Sequence, residues 1–313
     1  MDKLSKIILI SGPTASGKSN LAVKVAKKIN GEIINADSMQ VYKRLKILTA
    51  RPSKKEQKNI KHHLYGIIDP DKKFSTGQWL KEAIKNIEDI KRRNKIPILV
   101  GGTGLYFYSL INGLVKIPKI PLKIRNKVRL IQSKEGQKNF YKKLKKLDPN
   151  IKNKFDPNDS HRSIRAYEIK LFTKISMYEW LNKTESKFKD GEFLKLYIDF
   201  KRDELVERIS LRTSKMIEEG AIEEVKRFNK LKIKKENSVN KVIGIVELTH
   251  FLKNQINLVE AKELISIKTR QYAKRQATWA RGRMSSWKKI NPAKIGDFIK
   301  KLNKSSLKLD QLT

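Results

Sequence analysis

Three features of the sequence predict an α/β fold: a doubly wound parallel sheet with a phosphate-binding loop, a helical insertion domain and C-terminal helices. The first is Gly12-Pro13-Thr14-Ala15-Ser16-Gly17-Lys18-Ser19, which follows an apolar run, Ile7 to Ile10, and precedes a helical pattern from Asn20. The second is an alternation of short β-branched runs with helical patterns, which implies right-handed crossovers between parallel strands. The third is a long stretch without strands, Pro118 to Lys189, that interrupts this alternation before one more apolar run, Phe193 to Ile198. The expected organisation is a first part of the core over 1–117, an insertion over 118–190, core completion and C-terminal helices over 191–290, and a tail over 291–313.

Each element has a local reason. Ile7 to Ile10, Glu32 to Ile34, His63 to Ile68, Ile96 to Val100 and Phe193 to Ile198 are short apolar runs of the kind buried in a parallel sheet. Asn20 to Ile29, Thr76 to Arg93 and Leu105 to Ile111 carry helical spacing between them. In the insertion, helices are expected near Leu122 to Ser133, Gln137 to Leu147 and Ser160 to Phe172, with Pro118, Pro121, Pro149 and Pro157 all outside them. After Asp199, helices are expected over Arg202 to Glu219, Ile222 to Leu231, Val242 to Leu252 and about Leu258 to Arg281, and Lys301 to Thr313 reads as a loosely held tail.

The strand, glycine-rich turn and helix are the order that a phosphate-binding loop needs. Backbone N–H groups curl around an anion, the helix N-terminus adds partial positive charge, and Lys18 adds a full one. Ser19 is placed to offer its hydroxyl to a magnesium ion. The ligand expected here is a polyphosphate or a diphosphate ester.

Net charge is +39, from 71 Lys plus Arg against 32 Asp plus Glu. With 55 Lys to 16 Arg and abundant Ile and Asn, part of that excess fits A/T-rich codon usage, so distribution is the better guide. Ile90 to Leu147 holds sixteen basic residues and one acid, Glu135, and Leu264 to Ala293 holds eight basic residues and none. Two such surfaces suit a nucleic acid, a solvated basic surface being the plain alternative. On the last long helix Arg270, Lys274 and Arg281 share one face, with Tyr272, Arg275 and Trp279 beside it; the aromatics either stack on bases or pack inward. No cysteine is present, so thiol nucleophiles, zinc knuckles and disulfides are excluded. No signal peptide or membrane span is expected, and the reading is a cytoplasmic protein.

Chemistry in open α/β sheets gathers beyond the carboxyl ends of strands. There the sequence places Asp37 with Ser38, Met39 and Gln40, and Gly101-Gly102-Thr103-Gly104. A nucleotide kinase commonly ends a strand here with a magnesium-binding Asp, and Gly-Gly-Thr does not supply one. Asp37 reads as a general base or a helix N-cap, and Thr103 as an orienting donor or a turn hydroxyl. Two other readings share the loop: a kinase of a small metabolite, and an RNA-binding switch that uses nucleotide only as ligand.

The phosphate loop, Asp37-Ser38-Met39-Gln40-Val41-Tyr42, Thr49-Ala50-Arg51-Pro52, His62-His63-Leu64, Gly101 to Tyr106 and Arg270 to Trp279 occur in an order that resembles the bacterial tRNA dimethylallyltransferases. The likeness runs from the first strand to about Trp287. It implies transfer of a dimethylallyl group from dimethylallyl diphosphate to N6 of the adenosine 3′ of the anticodon, in tRNAs reading codons that begin with U. The resemblance further implies Asp37 and Thr103 as catalytic residues, Gly12 to Ser19 as the diphosphate site with Mg2+, and either Arg208 or Arg212 as a further diphosphate contact. For the tRNA anticodon stem-loop it implies Asp37, Ser38, Met39, Gln40, Thr103, Arg125, His161, Arg162, Ser163, Ile164, Arg165, Lys241, Lys274, Arg275, Gln276 and Arg281, in a monomeric enzyme. Departures from the family pattern are Leu48 for a glycine, Ile245 for a tyrosine, and Asp156 for a histidine.

Overall fold

The computed structural model describes residues 6–302. Of the tail expected over 291–313, residues 303–313 lie outside the described residues. The strands are β1 (Ile7–Ser11), β2 (Gly31–Asn35), β3 (His62–His63), β4 (Ile96–Gly101), β5 (Phe193–Ile198) and β6 (Lys288–Ile290). The helices are α1 (Lys18–Ile29), α2 (Lys54–Gln57), α3 (Thr76–Arg92), α4 (Gly104–Asn112), α5 (Leu122–Leu147) and α6 (Ser160–Thr173). They continue with α7 (Met177–Leu181), α8 (Arg202–Glu218), α9 (Ala221–Asn229), α10 (Ile245–Leu252), α11 (Leu258–Arg283) and α12 (Ile295–Lys301).

The chain forms two compact units, one of residues up to Ile111 and from Phe188 onward, the other of Asn112–Lys187. The first holds one parallel sheet of order β3-β2-β4-β1-β5-β6. Alternate residues of the strands serve opposite faces. Ile7 and Leu9 pack with Trp79 and Ile87 of α3 and Phe107 of α4, while Ile8 and Ile10 pack with Leu21, Val25 and Ile29 of α1. Apolar burial on both sides accounts for the unbroken β-branched runs, each such side chain contributing about 1.5–3 kcal/mol.

Three expectations need correction. The strand from His63 to Ile68 is only His62–His63, because Leu64 (φ 64) and Gly66 (φ 60) turn the chain out of the sheet. A sixth strand, β6, extends the sheet beyond β5; its Lys288 and Lys289 are exposed, so it has no apolar run to announce it. The described part of the tail belongs to the core, since Ile295, Phe298, Ile299 and Leu302 follow helical i, i+3, i+4, i+7 spacing and pack into its α1 side.

The helical unit begins at Asn112 and ends at Lys187 rather than spanning 118–190. Phe188 already belongs to the core of the sheet unit, and a side chain on Gly113 would strike the Glu185 carbonyl, so entry and exit run side by side. Within it α5 is broken at Gly136 (φ 72, ψ 162), between the two helices expected there. Tyr141, Leu144, Ile151, Phe155 and Ala166 form its buried cluster.

Capping fixes α3 and, through it, the end of β2. The Ser75 hydroxyl accepts from the Gln78 N–H (3.2 Å) and the Gln78 Oε1 accepts from the Ser75 N–H (2.8 Å), a reciprocal capping box. Trp79 follows directly; its ring stacks on Tyr106 at 4.2 Å and its indole N–H donates to the Asn35 carbonyl (2.8 Å).

At the opposite end of β2 lies Glu32, 1% exposed. Arg93 Nη2 (2.8 Å), Lys95 Nζ (2.9 Å) and His63 Nε2 (2.7 Å) surround its carboxylate. Hydrogen bonds from Arg93, reinforced by Lys95 and His63, hold the Glu32 carboxyl far below the ordinary value near 4.5 despite its burial. A depressed carboxyl contributes stability in full above that ordinary value and loses it as pH falls. Glu32→Gln is expected to lower unfolding stability by about 3 kcal/mol at pH 7, the scale for breaking a buried charge pair from one side. Urea titrations at pH 7 and pH 4 check this: the gap between wild type and variant narrows at the lower pH.

Candidate active site

β1 delivers the chain into the Gly12 to Ser19 loop, and α1 opens at Lys18 behind Gly17. The loop walls a cavity of about 590 Å³ together with Arg208 and Arg212 of α8. Lys18 Nζ donates to the Pro13 carbonyl (3.1 Å). Desolvation in this enclosure pulls the Lys18 ammonium down to about 8, with Asp37 pulling it up and Arg212 adding to the fall. The two arginines that sequence left as alternatives are both present: Arg208 Nε donates to the Ala15 carbonyl (2.8 Å) and Arg212 Nη1 to the Thr14 hydroxyl (3.0 Å). Ser19 faces the same cavity, and the buried Ser16 hydroxyl has no partner among the described residues.

Asp37 follows β2. Buried Asn35 shapes its turn, accepting from the Asp37 N–H (2.9 Å) and donating to the Asp37 and Leu64 carbonyls (3.0 and 3.1 Å). One carboxylate oxygen of Asp37, Oδ1, accepts from the N–H groups of Met39 (2.8 Å) and Gln40 (3.3 Å). The other, Oδ2, makes no hydrogen bond among the described residues; no helix follows, so Asp37 braces a turn rather than capping a helix and keeps one oxygen open. The Thr103 hydroxyl accepts from the Ser38 N–H (3.0 Å), tying the turn after β4 to the turn after β2.

A second cavity, about 300 Å³, adjoins the first. Thr14, Asp37, Thr49 and Arg212 line both, so Asp37 stands where a cationic phosphate pocket meets a second chamber. Met39, Leu48, Ile209, Met216 and Ile265 give that chamber apolar walls, and Lys241 and Arg275 give it cations. Tyr272 also lines it; burial first, then Asp37, raises its phenol pKa.

The glycines after β4 have a cause that sequence did not reveal. A Cβ on Gly102 would lie 2.0 Å from Gln276 Nε2, and one on Gly104 would lie 2.1 Å from Trp279 Nε1. What approaches this turn closely is therefore the chain's own α11. Gln276 Nε2 donates to the Gly102 carbonyl (2.9 Å) and Oε1 accepts from the Thr14 N–H (2.8 Å). Trp279 packs inward, as one of the two sequence alternatives had it.

The residues expected to meet RNA divide by environment. Lys241, Lys274, Arg275 and Arg281 are exposed in the sheet unit, and His161, Arg162 and Arg165 are exposed in the helical unit. In the latter, Arg125 and Arg165 converge on the buried carboxylate of Glu168 at 3.6 and 3.4 Å. Ser163 is fully buried and accepts from Gln137 Nε2 (2.9 Å), which removes it as an RNA contact, and Ile164 is half-buried. Gln276 spends both ends of its amide inside the protein. Gln40 Nε2 likewise donates to the Thr49 and Ala50 carbonyls (2.9 and 3.1 Å). Sequence reasoning missed Asn35 and Glu224, and it read Tyr272 only as an aromatic of the last long helix, not as a wall of the chamber beside Asp37. The Glu224 carboxylate, 5% exposed, accepts from the successive N–H groups of Lys46, Ile47 and Leu48 (2.6, 2.9 and 2.9 Å) and so fixes the loop that carries Thr49.

The model of the family described as IPP transferase matches residues 40–283. A tRNA dimethylallyltransferase of Pelagibacter ubique is 75% identical over the full length of both chains. The chain belongs to the IPP transferase family. Among solved IPP transferases, the tRNA delta(2)-isopentenylpyrophosphate transferase of Staphylococcus epidermidis has 34% identity and a TM-score of 0.67, covering 95% of this chain and 97% of that one. A eukaryotic dimethylallyltransferase acting on tRNA has 36% identity and a TM-score of 0.78 over 88% of this chain and 70% of its own.

For this IPP transferase, burial lowers the Lys18 ammonium to about 8, and an anion in the loop needs it charged. Relative to Lys18→Met, in which the ligand's own ionisation is the same, wild-type affinity for inorganic pyrophosphate is expected to fall up to tenfold per unit above about pH 8. Calorimetric titration of both proteins from pH 6.5 to 9.5 checks this, and Lys18→Met should also weaken binding.

Proposed function

We propose that the protein transfers a dimethylallyl group from dimethylallyl diphosphate to N6 of the adenosine 3′ of the anticodon in tRNA, releasing diphosphate. The observation that carries this reading is the unpartnered Asp37 oxygen at the junction of a cationic loop cavity and a second chamber with basic residues at its wall. A kinase would be served by a carboxylate at the end of β4, where Gly101-Gly102-Thr103 stands instead. The names of the relatives, tRNA dimethylallyltransferases among them, support the same reaction.

In this reading the diphosphate lies along Thr14 to Ser19. The adenine N6 attacks the allylic C1, the C1–O bond breaks, and its electron pair leaves with the diphosphate. Lys18, Arg208 and Arg212 stabilise the charge that develops on the departing oxygen. Asp37 Oδ2 takes the N6 proton, and Thr103 keeps the Asp37-Ser38 turn in place through the Ser38 N–H. The apolar walls of the second chamber shield the allyl group from water.

Magnesium fits the donor chemistry of the loop. No group of three His, Cys, Asp or Glu side chains able to hold a metal occurs among the described residues, and magnesium on a diphosphate needs few protein ligands. The Ser19 hydroxyl would hold it beside the substrate phosphate oxygens, where it neutralises diphosphate charge.

The target base must leave its stack, which costs least in a loop. Lys241, Lys274, Arg275 and Arg281 would meet anticodon-stem phosphates from the sheet unit, and Arg125, His161, Arg162 and Arg165 from the helical unit. No described helix is long and apolar enough to cross a membrane, and the proposed setting is a cytoplasmic monomer.

Mass spectrometry of an anticodon stem-loop RNA incubated with protein, magnesium and dimethylallyl diphosphate should show an adduct five carbons heavier. Asp37→Ala should lower turnover by about 10² to 10⁴ with little change in RNA affinity, as for loss of a general base. Transfer of labelled phosphate from ATP with no prenylated RNA would overturn the reading. Replacing Lys274 and Arg275 together by Ala should reduce the salt slope of RNA binding by about 1 to 2, because each phosphate contact contributes somewhat less than one unit. Filter binding between 50 and 300 mM salt is the check, using about the range over which such slopes are resolved.

A further inference from the structure

The inner face of α11 holds the catalytic loops by a side chain that the expected RNA contacts had claimed. β1 and β4 pair in parallel with Ser11 opposite Gly101, so the phosphate loop and the Gly-Gly-Thr turn leave the sheet side by side. Backbone pairing of β1 with β4 ends there. Beyond it, Gln276 bridges the two: Oε1 accepts from the Thr14 N–H (2.8 Å) and Nε2 donates to the Gly102 carbonyl (2.9 Å). Gly102 leaves no room for a side chain against that amide, whose nitrogen would sit 2.0 Å from a Cβ.

Thr14 is held from two sides, by Gln276 at its N–H and by Arg212 Nη1 at its hydroxyl (3.0 Å). It lines both cavities, at the junction where the allylic bond would break. One residue past Gly102, Thr103 binds the Asp37-Ser38 turn through the Ser38 N–H (3.0 Å). A chain of contacts thus runs from Arg212 through Thr14, Gln276 and the turn after β4 to the residue beside Asp37.

The geometry points to Gln276 as a positioning residue for the transfer, whose amide sets the separation between the leaving-group pocket and the Asp37–Thr103 pair. The assignment rests on the proposed reaction for its kinetic consequence, but its effect on the phosphate loop does not. Misplacing reacting groups by about 1 Å costs on the order of 10² in rate. A residue acting on RNA would instead change RNA affinity.

Two variants test it. Gln276→Met keeps the length and removes both hydrogen bonds; Gln276→Glu keeps an acceptor for Thr14 but sets an oxygen against the Gly102 carbonyl. Both should lower kcat about 10- to 100-fold and weaken inorganic pyrophosphate binding in the presence of magnesium several-fold, with the dissociation constant for the anticodon stem-loop within twofold of wild type. Weakened RNA binding with kcat and pyrophosphate affinity intact would overturn the proposal in favour of an RNA contact, and no change in kcat or pyrophosphate affinity would overturn it outright. Circular dichroism melting establishes that the variants fold; if Gln276→Met does not, Gln276→Glu carries the same measurements. If wild-type protein makes no prenylated RNA, the proposed reaction fails, and a pyrophosphate affinity that still falls in the variants leaves the bridge between the loops standing.

Discussion

Parallel pairing of β1 with β4, and of β4 with β2, is the constraint from which the site follows. Strands that run the same way release their carboxyl ends on one edge, so three loops distant in sequence emerge together. The phosphate loop comes from β1, Asp37 from β2 and Thr103 from β4. Past that edge a backbone bond continues, from the Thr103 N–H to the Ala36 carbonyl (3.2 Å), and other backbone groups must find other partners. Side chains provide them: Asn35 for the Asp37 turn, Thr103 for Ser38, and Gln276 for Thr14 and Gly102. Polar bridges thus join the apolar packing of Trp79, Tyr106 and Trp279 in holding the catalytic edge.

Electrostatics in the pocket works against the empty protein. Lys18 and Arg212 are both desolvated, each has a pKa below its ordinary value, and Asp37 is the carboxylate that offsets both. Lys18, Lys58, Arg208 and Arg212 outnumber Asp37 and Glu56 in the wall of that pocket, which leaves net positive charge there, and a diphosphate relieves it. Preorganised cations of this kind require no reorganisation when charge develops on the leaving group. The same arrangement gives Asp37 its position: near enough to hold the cations, yet with one oxygen free on the side of the second chamber.

Much of this was legible in sequence wherever a residue type has few physical uses. Gly12 to Ser19 between a buried strand and a helix has one ready explanation, and the β-branched runs of β1, β2, β4 and β5 are what a sheet covered on both faces requires. Legibility failed where contacts are long-range. Nothing local to Gly102 and Gly104 indicates that Gln276 and Trp279 of α11 pack against them. Ser163 looked like part of a basic recognition stretch, yet helix periodicity turns it inward while Arg162 and Arg165 face out. β6 was hidden because two of its three residues are exposed lysines, and Glu224 because its nest of N–H groups lies some 177 residues away.

The departures from the family pattern illustrate how such a site absorbs change. Leu48, where the family usually has glycine, is buried in the cluster that includes Ile245, where the family usually has tyrosine. Its Cδ2 lies 2.6 Å from where a Cβ on Gly244 would stand, so the bare Cα of Gly244 is what admits it. Gly244 also has φ 105, a conformation that side chains disfavour, and its N–H is held by Glu247 (2.8 Å), itself paired with Lys268 of α11. Leu48 and Ile245 thus both belong to the cluster packed around Gly244. Glu224 holds the backbone of Lys46 to Leu48 through N–H groups rather than through the Leu48 side chain, and the loop so held carries Thr49 into the wall of both cavities.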